Sequence, residues 1–251
     1  AQAGVRYSLL HPSAYFESNI KGFFNILELS RIYKIKHLIF ASSSSVYGDK
    51  NRFPLKEIDS TDNPVSFYAA SKKTNEIMSY AYAYSYKIPV TGLRLFTVYG
   101  PWGRPDMALF LFTEAIINNR PIKVFNNGNM MRDFTYIDDI IEGVFRVIFK
   151  TATPNKNFKK SSPNSSNSWA PYRLFNIGNS NPVNLKKYIE TIEINLGKKA
   201  IKELLPMQPG DVKATSANTK LLEEWVSFKP NTTIEDGVNK FVNWYKIYYE
   251  V

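Results

Sequence analysis

A phenol and an ammonium four residues apart on a helix share one face, and Tyr68-Ala-Ala-Ser-Lys72 has that spacing. A free tyrosine keeps its proton to about pH 10, so service as a base near neutrality requires a shift of about three units, or roughly 4 kcal/mol. A cation one turn away favours the phenolate, and a cationic nicotinamide ring nearby would favour it further. A hydroxyl bonded to the same substrate oxygen would complete the equipment for taking a proton from an alcohol while hydride leaves its carbon. The alternative is an ordinary exposed helix face, because the chain holds 16 tyrosines and a chance match is expected.

Hydroxyls come from HLIFASSSSVYG (37–48), an apolar run that breaks into four consecutive serines, Ser42–Ser45. A second apolar run, PVTGLRLF (89–96), leads into Thr97-Val-Tyr-Gly-Pro-Trp-Gly-Arg104. In a parallel α/β sheet, ligands bind beyond the carboxyl ends of the strands. Both runs would therefore present hydroxyls, glycines and Arg104 at a common edge. Arg104 can pair with a carboxylate or with a diphosphate, and the sequence leaves both open.

The elements that position these groups follow from periodicity. Residues 11–34 carry apolar side chains at mixed three- and four-residue spacing, which predicts a helix. A strand is predicted at 37–41, a polar loop at 49–64, a long helix at 66–87 and a strand at 89–96. Strand, helix and strand at these lengths predict βαβ units and a parallel sheet. Further helices are predicted at 106–119, 138–149, 184–196 and 234–250, with short strands at 122–125, 131–136 and 173–177. Residues 151–171 are rich in asparagine and serine and read as an exposed loop.

Composition excludes several classes. The chain of 251 residues has no cysteine, so disulfides, thiolate metal sites and cysteine nucleophiles are absent and the compartment is left open. Its two histidines, His11 and His37, make no spaced metal motif, and no metal is expected. No apolar run approaches the ~20 residues of a membrane span, so no membrane association is expected. The net charge of +10 permits a polyanionic partner, but the basic residues are scattered and not interleaved with stacking aromatics, so nucleic acid is not expected.

In order along the chain, AQAGVRYS, SSSSVYG, YAASK, LRLFTVYGPWGRPDMALF, RDFTYIDD, YRLFNIGNSNPVNL and QPGDV resemble successive motifs of the extended short-chain dehydrogenase/reductase family, NAD-dependent epimerase/dehydratase type. Within it they are most similar to UDP-glucuronate 4-epimerases, and the likeness runs to FVNWYKIYYEV at the end. The resemblance implies a Rossmann-like parallel sheet with a smaller α/β substrate-binding C-terminal domain. Residues 1–100 would be the remaining part of the NAD-binding domain with the catalytic groups. Residues 101–251 would be mainly the UDP-sugar domain, with some segments interleaved back. Tyr68 would be the base, Lys72 would lower its pKa and hold the cofactor ribose, and Ser43, four residues before the tyrosine of V-Y-G, would be the catalytic hydroxyl. Asn19 would lie near the cofactor, Arg132 would hold the diphosphate and Asp211 would contact the nucleotide ribose. For Arg132 the alternative is a salt bridge with Asp133.

The family pattern also bears on the reaction. Its dehydratases follow the catalytic hydroxyl with Asp-Glu and its decarboxylases carry a glutamate there, whereas this chain has Ser44 and Ser45. Neutral hydroxyls cannot exchange protons as those acids do, but they can donate hydrogen bonds to a carboxylate. Galactose epimerases carry asparagine where this chain has Thr97. The resemblance thus implies NAD-dependent 4-epimerisation of a UDP-sugar, UDP-glucuronate to UDP-galacturonate, in a cytoplasmic enzyme that forms homodimers when full length. Another sugar-nucleotide epimerase and a non-catalytic binding module are the alternatives. The glycine fingerprint G-x-x-G-x-x-G is not found in these residues, which leads us to expect a fragment lacking its first βαβαβ half, with weak NAD binding and little activity alone.

Overall fold

The computed structural model describes the whole chain apart from residues 162, 209 and 210. Its centre is a parallel sheet in the order β1 (Leu38–Ser43), β2 (Val90–Leu95) and β7 (Tyr172–Ile177). One face packs under α3 (Gly22–Ile32) and α4 (Phe67–Tyr86), where Leu38, Phe40, Val90, Tyr172 and Leu174 meet Leu27 and Ala83. The other face packs on α6 (Ile137–Ile148) and α8 (Lys220–Val226), where Leu93, Phe175 and Ile177 meet Ile140, Val147, Leu222 and Val226. The alternation of these side chains along each strand is the two-residue period of a sheet buried on both faces.

Gly92 at the middle of β2 permits this layering. A Cβ there would lie 2.4 Å from a Leu174 methyl and 2.7 Å from the Phe40 ring.

The apolar run at 89–99 does not stay in one sheet. β2 pairs with β7, while β3 (Thr97–Tyr99) pairs with β6 (Phe134–Tyr136). Phe96 N–H bonds the Ile177 carbonyl and Thr97 N–H the Asp133 carbonyl, so the chain changes partners at the residue pair before the Thr97 side chain. β4 (Ile122–Phe125) pairs in parallel with β9 (Lys202–Leu205), and β5 (Met131–Arg132) antiparallel with β8 (Val183–Asn184). A second core gathers Phe110 and Phe112 of α5 (Ala108–Ile117), Phe134, Tyr188 and Ile192 of α7 (Leu185–Leu196), and Phe241 and Tyr245 of α9 (Ile234–Tyr249).

Three expectations change. The helix expected at 11–34 is α2 (Pro12–Tyr15) and α3, joined by a π-helical stretch, Phe16–Lys21, in which one residue is inserted per turn. The strand expected at 131–136 breaks at Asp133, whose carboxylate gathers the N–H groups of Asn179, Ser180 and Ala217 at 2.8, 3.1 and 2.7 Å. A short helix, α1 (Val5–Leu10), precedes α2, and α8 and β9 were also not expected. Among the described residues no helix is long and apolar enough to cross a membrane, and no cluster could hold a metal ion.

Candidate active site

Helix α4 starts where Ser66 accepts a hydrogen bond from Ala69 N–H at 3.1 Å, an N-cap that fixes the register of everything after it. From there Tyr68, Lys72 and Glu76 recur at i, i+4 and i+8, so one stripe of the helix runs along the carboxyl end of β1. Each member of the stripe faces a different residue of the stretch 41–43 at the end of β1. Tyr68 feels the Ser43 hydroxyl, which favours the phenolate. Lys72 donates to the Ala41 carbonyl at 2.9 Å. Ser42 donates to Glu76 at 2.6 Å. The four serines are therefore a strand end, not a linker: Ser43 also caps a short 3-10 turn, Ser44–Tyr47, by accepting from Ser45 N–H at 3.2 Å.

Glu76 anchors this stripe in the core. Arg94 of β2, fully buried, donates to both of its carboxylate oxygens at 2.8 and 2.9 Å and to the Tyr47 hydroxyl at 3.0 Å. Tyr47 in turn donates to Asn176 of β7 at 2.6 Å, and Asn176 reaches the Leu55 and Asn218 carbonyls. The buried ion pair and its neighbours thus tie the helix, all three strands and two loops together directly beneath the hydroxyls. Glu57 sits in the same network at 1 % exposure, accepting from Asn176 N–H at 2.9 Å. Burial pushes its carboxyl up to about 7, against the pull of the Asn176 N–H and the Arg94 charge.

The electrostatics of the reactive pair are set by burial. Desolvation raises the Tyr68 phenol, and the Ser43 hydroxyl and the Arg104 guanidinium oppose it. Desolvation lowers the Lys72 ammonium, which is 6 % exposed. Lys72 commits one of its three hydrogens to Ala41, and the other two suit a diol such as a ribose. The Tyr15 ring stands edge-on to Tyr68 at 6.1 Å and closes the same space from α2.

The remaining expected residues fall into three places. Thr97, half-buried at the partner change between β2 and β3, lies at the same edge as the serines, with Ser44 and Ser45 also half-buried. Arg104 follows on the loop after β3 and pairs with Asp106. Arg132 lies in a second cluster: its Nη1 donates to the Met131 and Lys213 carbonyls at 2.9 and 3.3 Å, and it feels the charges of Asp211 and Arg6. The alternative salt bridge from Arg132 to Asp133 does not form, because Asp133 is taken up by the three N–H groups named above. Asp211 pairs with Arg6 at 3.1 Å, and the Arg6 guanidinium also stacks 5.1 Å from the Phe125 ring.

Asn19 is engaged within the protein. Its amide accepts from Gln2 N–H at 2.6 Å and donates to the Gln2 carbonyl and the Ser71 hydroxyl at 2.9 and 3.0 Å, while Asn75 donates to its carbonyl at 2.6 Å. It pins the first residues against α4. That stretch then passes Arg104, whose Nη2 lies 4.0 Å from the Cβ position at Gly4, and reaches the second cluster with Arg6. Residues 2–6 thus join the two clusters. Arg6 and Asp106 were not singled out in the sequence; the signals were the one charged residue of the segment AQAGVRYS and an Arg-Pro-Asp triplet.

Comparison with known proteins shows what the chain as a whole is similar to. The profile of the NAD dependent epimerase/dehydratase family matches residues 1–159. Protein CapI of Staphylococcus aureus is 56% identical over 250 residues, covering 100% of this chain and 75% of CapI. A probable UDP-glucuronate 4-epimerase of Rhizobium meliloti is 48% identical over 246 residues, covering 98% of this chain and 72% of that protein. The crystal structure of UDP-glucuronic acid 4-epimerase from Bacillus cereus, in complex with UDP-glucuronic acid and NAD, superposes with a TM-score of 0.84 at 30% identity, over 99% of this chain and 74% of that one.

Proposed function

The chain belongs to the NAD dependent epimerase/dehydratase family, and from that premise we propose that it inverts C4 of a UDP-linked sugar, converting UDP-glucuronate to UDP-galacturonate. The observation that carries the reading is the stripe of α4: a tyrosine and a lysine one turn apart, the lysine donating to Ala41 at the end of β1 and the Ser43 hydroxyl favouring the phenolate. Relatives and a structural neighbour that bear the name UDP-glucuronate 4-epimerase support the choice of sugar. So does the chain itself, which offers Ser44 and Ser45 where a dehydratase or decarboxylase carries an acid, and Thr97 where galactose epimerases carry asparagine.

Bound NAD supplies the acceptor, and later the donor, of the C4 hydride. Lys72 holds the ribose with the two hydrogens not given to Ala41, and Tyr68 faces the same edge. Ser43 gives its single O–H to the phenolate and can accept from the C4 hydroxyl with a lone pair, and Tyr68 takes the C4 hydroxyl proton as hydride departs. The flat 4-keto sugar turns over, and Tyr68 returns its proton once hydride has come back on the other face. Ser44, Ser45, Thr97 and Arg104 hold the uronate carboxylate, which also restrains loss of CO2 from the β-keto acid. Arg132 takes the diphosphate and Asp211 the nucleotide ribose. Asn19 contributes by holding residues 2–6 in place. Two copies pair through α3 and α4, where Phe24, Leu29, Ile32 and Ile77 are exposed.

The test is to incubate the full-length protein with NAD and UDP-glucuronate and to follow UDP-galacturonate by NMR. Turnover is expected, and Tyr68→Phe should lower kcat by about 10²–10⁴-fold with the fold intact. Conversion of a neutral UDP-sugar with none of the uronate would reject the assigned substrate. Equal activity of Tyr68→Phe would reject the mechanism.

A further inference from the structure

We propose that Asp106 is an internal counter-ion that occupies Arg104 until the carboxylate of a uronic acid takes its place, and so sets how strongly the site prefers an acidic sugar. The inference rests on the nucleotide-sugar reading above.

Arg104 Nε donates to Asp106 Oδ1 at 2.9 Å and Nη2 to Oδ2 at 3.1 Å. This two-pronged geometry is what a guanidinium makes with any planar carboxylate, so Asp106 presents the functional group that distinguishes a uronate from a neutral hexose. The residues flank Pro105, whose ring fixes φ and holds the two side chains in reach of each other. Among the described residues Asp106 pairs with no other cation, and Arg104 makes only a weak further contact to the Met107 sulfur.

The pair is built to be broken. The Arg104 side chain is 43% exposed and that of Asp106 67%. Ion pairs at that exposure are screened and contribute little, so an incoming carboxylate competes on nearly even terms. By contrast Arg94 and Glu76 make the same two-pronged contact at 0% and 2% exposure, where no ligand reaches.

Location decides which anion displaces Asp106. Arg104 lies beside residue 4 and its charge reaches Tyr15 and Tyr68, the groups around the reacting carbon. The nucleotide end has its own arginines, Arg132 and Arg6, around Asp211. Arg104 therefore addresses the sugar, and Asp106 stands in for the C6 carboxylate, not for the diphosphate.

The test measures dissociation constants of UDP-glucuronate, UDP-glucose and UDP by calorimetry for the full-length wild type, Asp106→Asn and Asp106→Glu. Asp106→Asn should tighten UDP-glucuronate by about two- to fivefold, the range an exposed ion pair allows. UDP-glucose and UDP should keep their wild-type affinities, and Asp106→Glu, which restores a carboxylate, should return UDP-glucuronate towards the wild-type value. Equal tightening of all three ligands would reflect the lost negative charge alone and overturn the proposal. Unchanged or weaker UDP-glucuronate binding in a variant that still binds UDP-glucose would also overturn it, leaving the nucleotide-sugar reading intact. Failure of the wild type to bind any of the three would overturn both.

Discussion

Replacing Glu57 by glutamine should stabilise the protein at pH 8 and leave it unchanged at pH 4. The carboxyl is 1 % exposed and burial raises it from an ordinary 4.5 to about 7. A folded-state pKa above the unfolded one means that the folded protein binds the proton more tightly. The contribution of Glu57 to stability is therefore fully present below about pH 4.5, falls as pH rises, and has gone once pH passes 7. A gap of about 2.5 units at 1.36 kcal/mol each makes the loss about 3 kcal/mol. Glutamine keeps an oxygen to accept the Asn176 N–H and carries no charge to desolvate, so the difference between variant and wild type should grow from near zero to about 3 kcal/mol across that window. Urea unfolding of both proteins at half-unit steps from pH 4.5 to 8 measures it, and the difference cancels every other titrating group. A difference that is flat with pH would refute the reasoning: Glu57 would then be ionised at no cost, held by Arg94 more strongly than burial disfavours it.

The buried pair gives the opposite expectation: Glu76→Gln leaves Arg94 uncompensated and should cost about 3–5 kcal/mol in denaturant titrations, while replacing both by apolar residues costs less. Ser43→Ala removes a hydroxyl that favours the phenolate, so the ascending limb of the kcat/KM profile against pH should move alkaline by about one unit, the equivalent of ~1.4 kcal/mol; an unmoved limb would show that Tyr68 is not the titrating base. Gly237→Ala places a methyl 2.0 Å from the Tyr99 hydroxyl oxygen and against its buried ring, and should cost about 1–3 kcal/mol of stability by overpacking.

Much of this was legible because burial leaves a periodic trace. The helices over 106–119, 138–149, 184–196 and 234–250 were visible within a few residues, since each sets an apolar stripe against a core. β9 was not, because Lys202–Leu205 is almost wholly exposed and carries no alternation. The break at Asp133 was invisible for another reason: its cause is three N–H groups from residues 179, 180 and 217, a contact no local window contains. The site divides in the same way. Tyr68 and Lys72 could be paired by spacing along a helix, whereas position at a strand end offered four serines and only the family resemblance chose Ser43 among them. The capture of Asn19 by Gln2, the Arg6–Asp211 pair and the grip of Asp106 on Arg104 are side-chain partnerships, which residue types allow but do not select.

The late arrival of β7 bears on how the chain can be made and cut. β2 ends at Leu95, yet its second neighbour begins only at Tyr172, so the central strand keeps a raw edge until residues 172–177 have been synthesised. Pairings so distant in sequence close slowly. Until they close, an apolar strand edge is a template for association with other chains. Expression at low temperature or with chaperones should therefore raise the soluble yield. The loop at 151–171 is buried at Ala152, Ser166, Ser168 and Ala170 and exposed mainly at 156–161, and a nick there should leave two pieces that remain together through β2 and β7. Stopping the gene before that loop removes the strand itself and should yield aggregate.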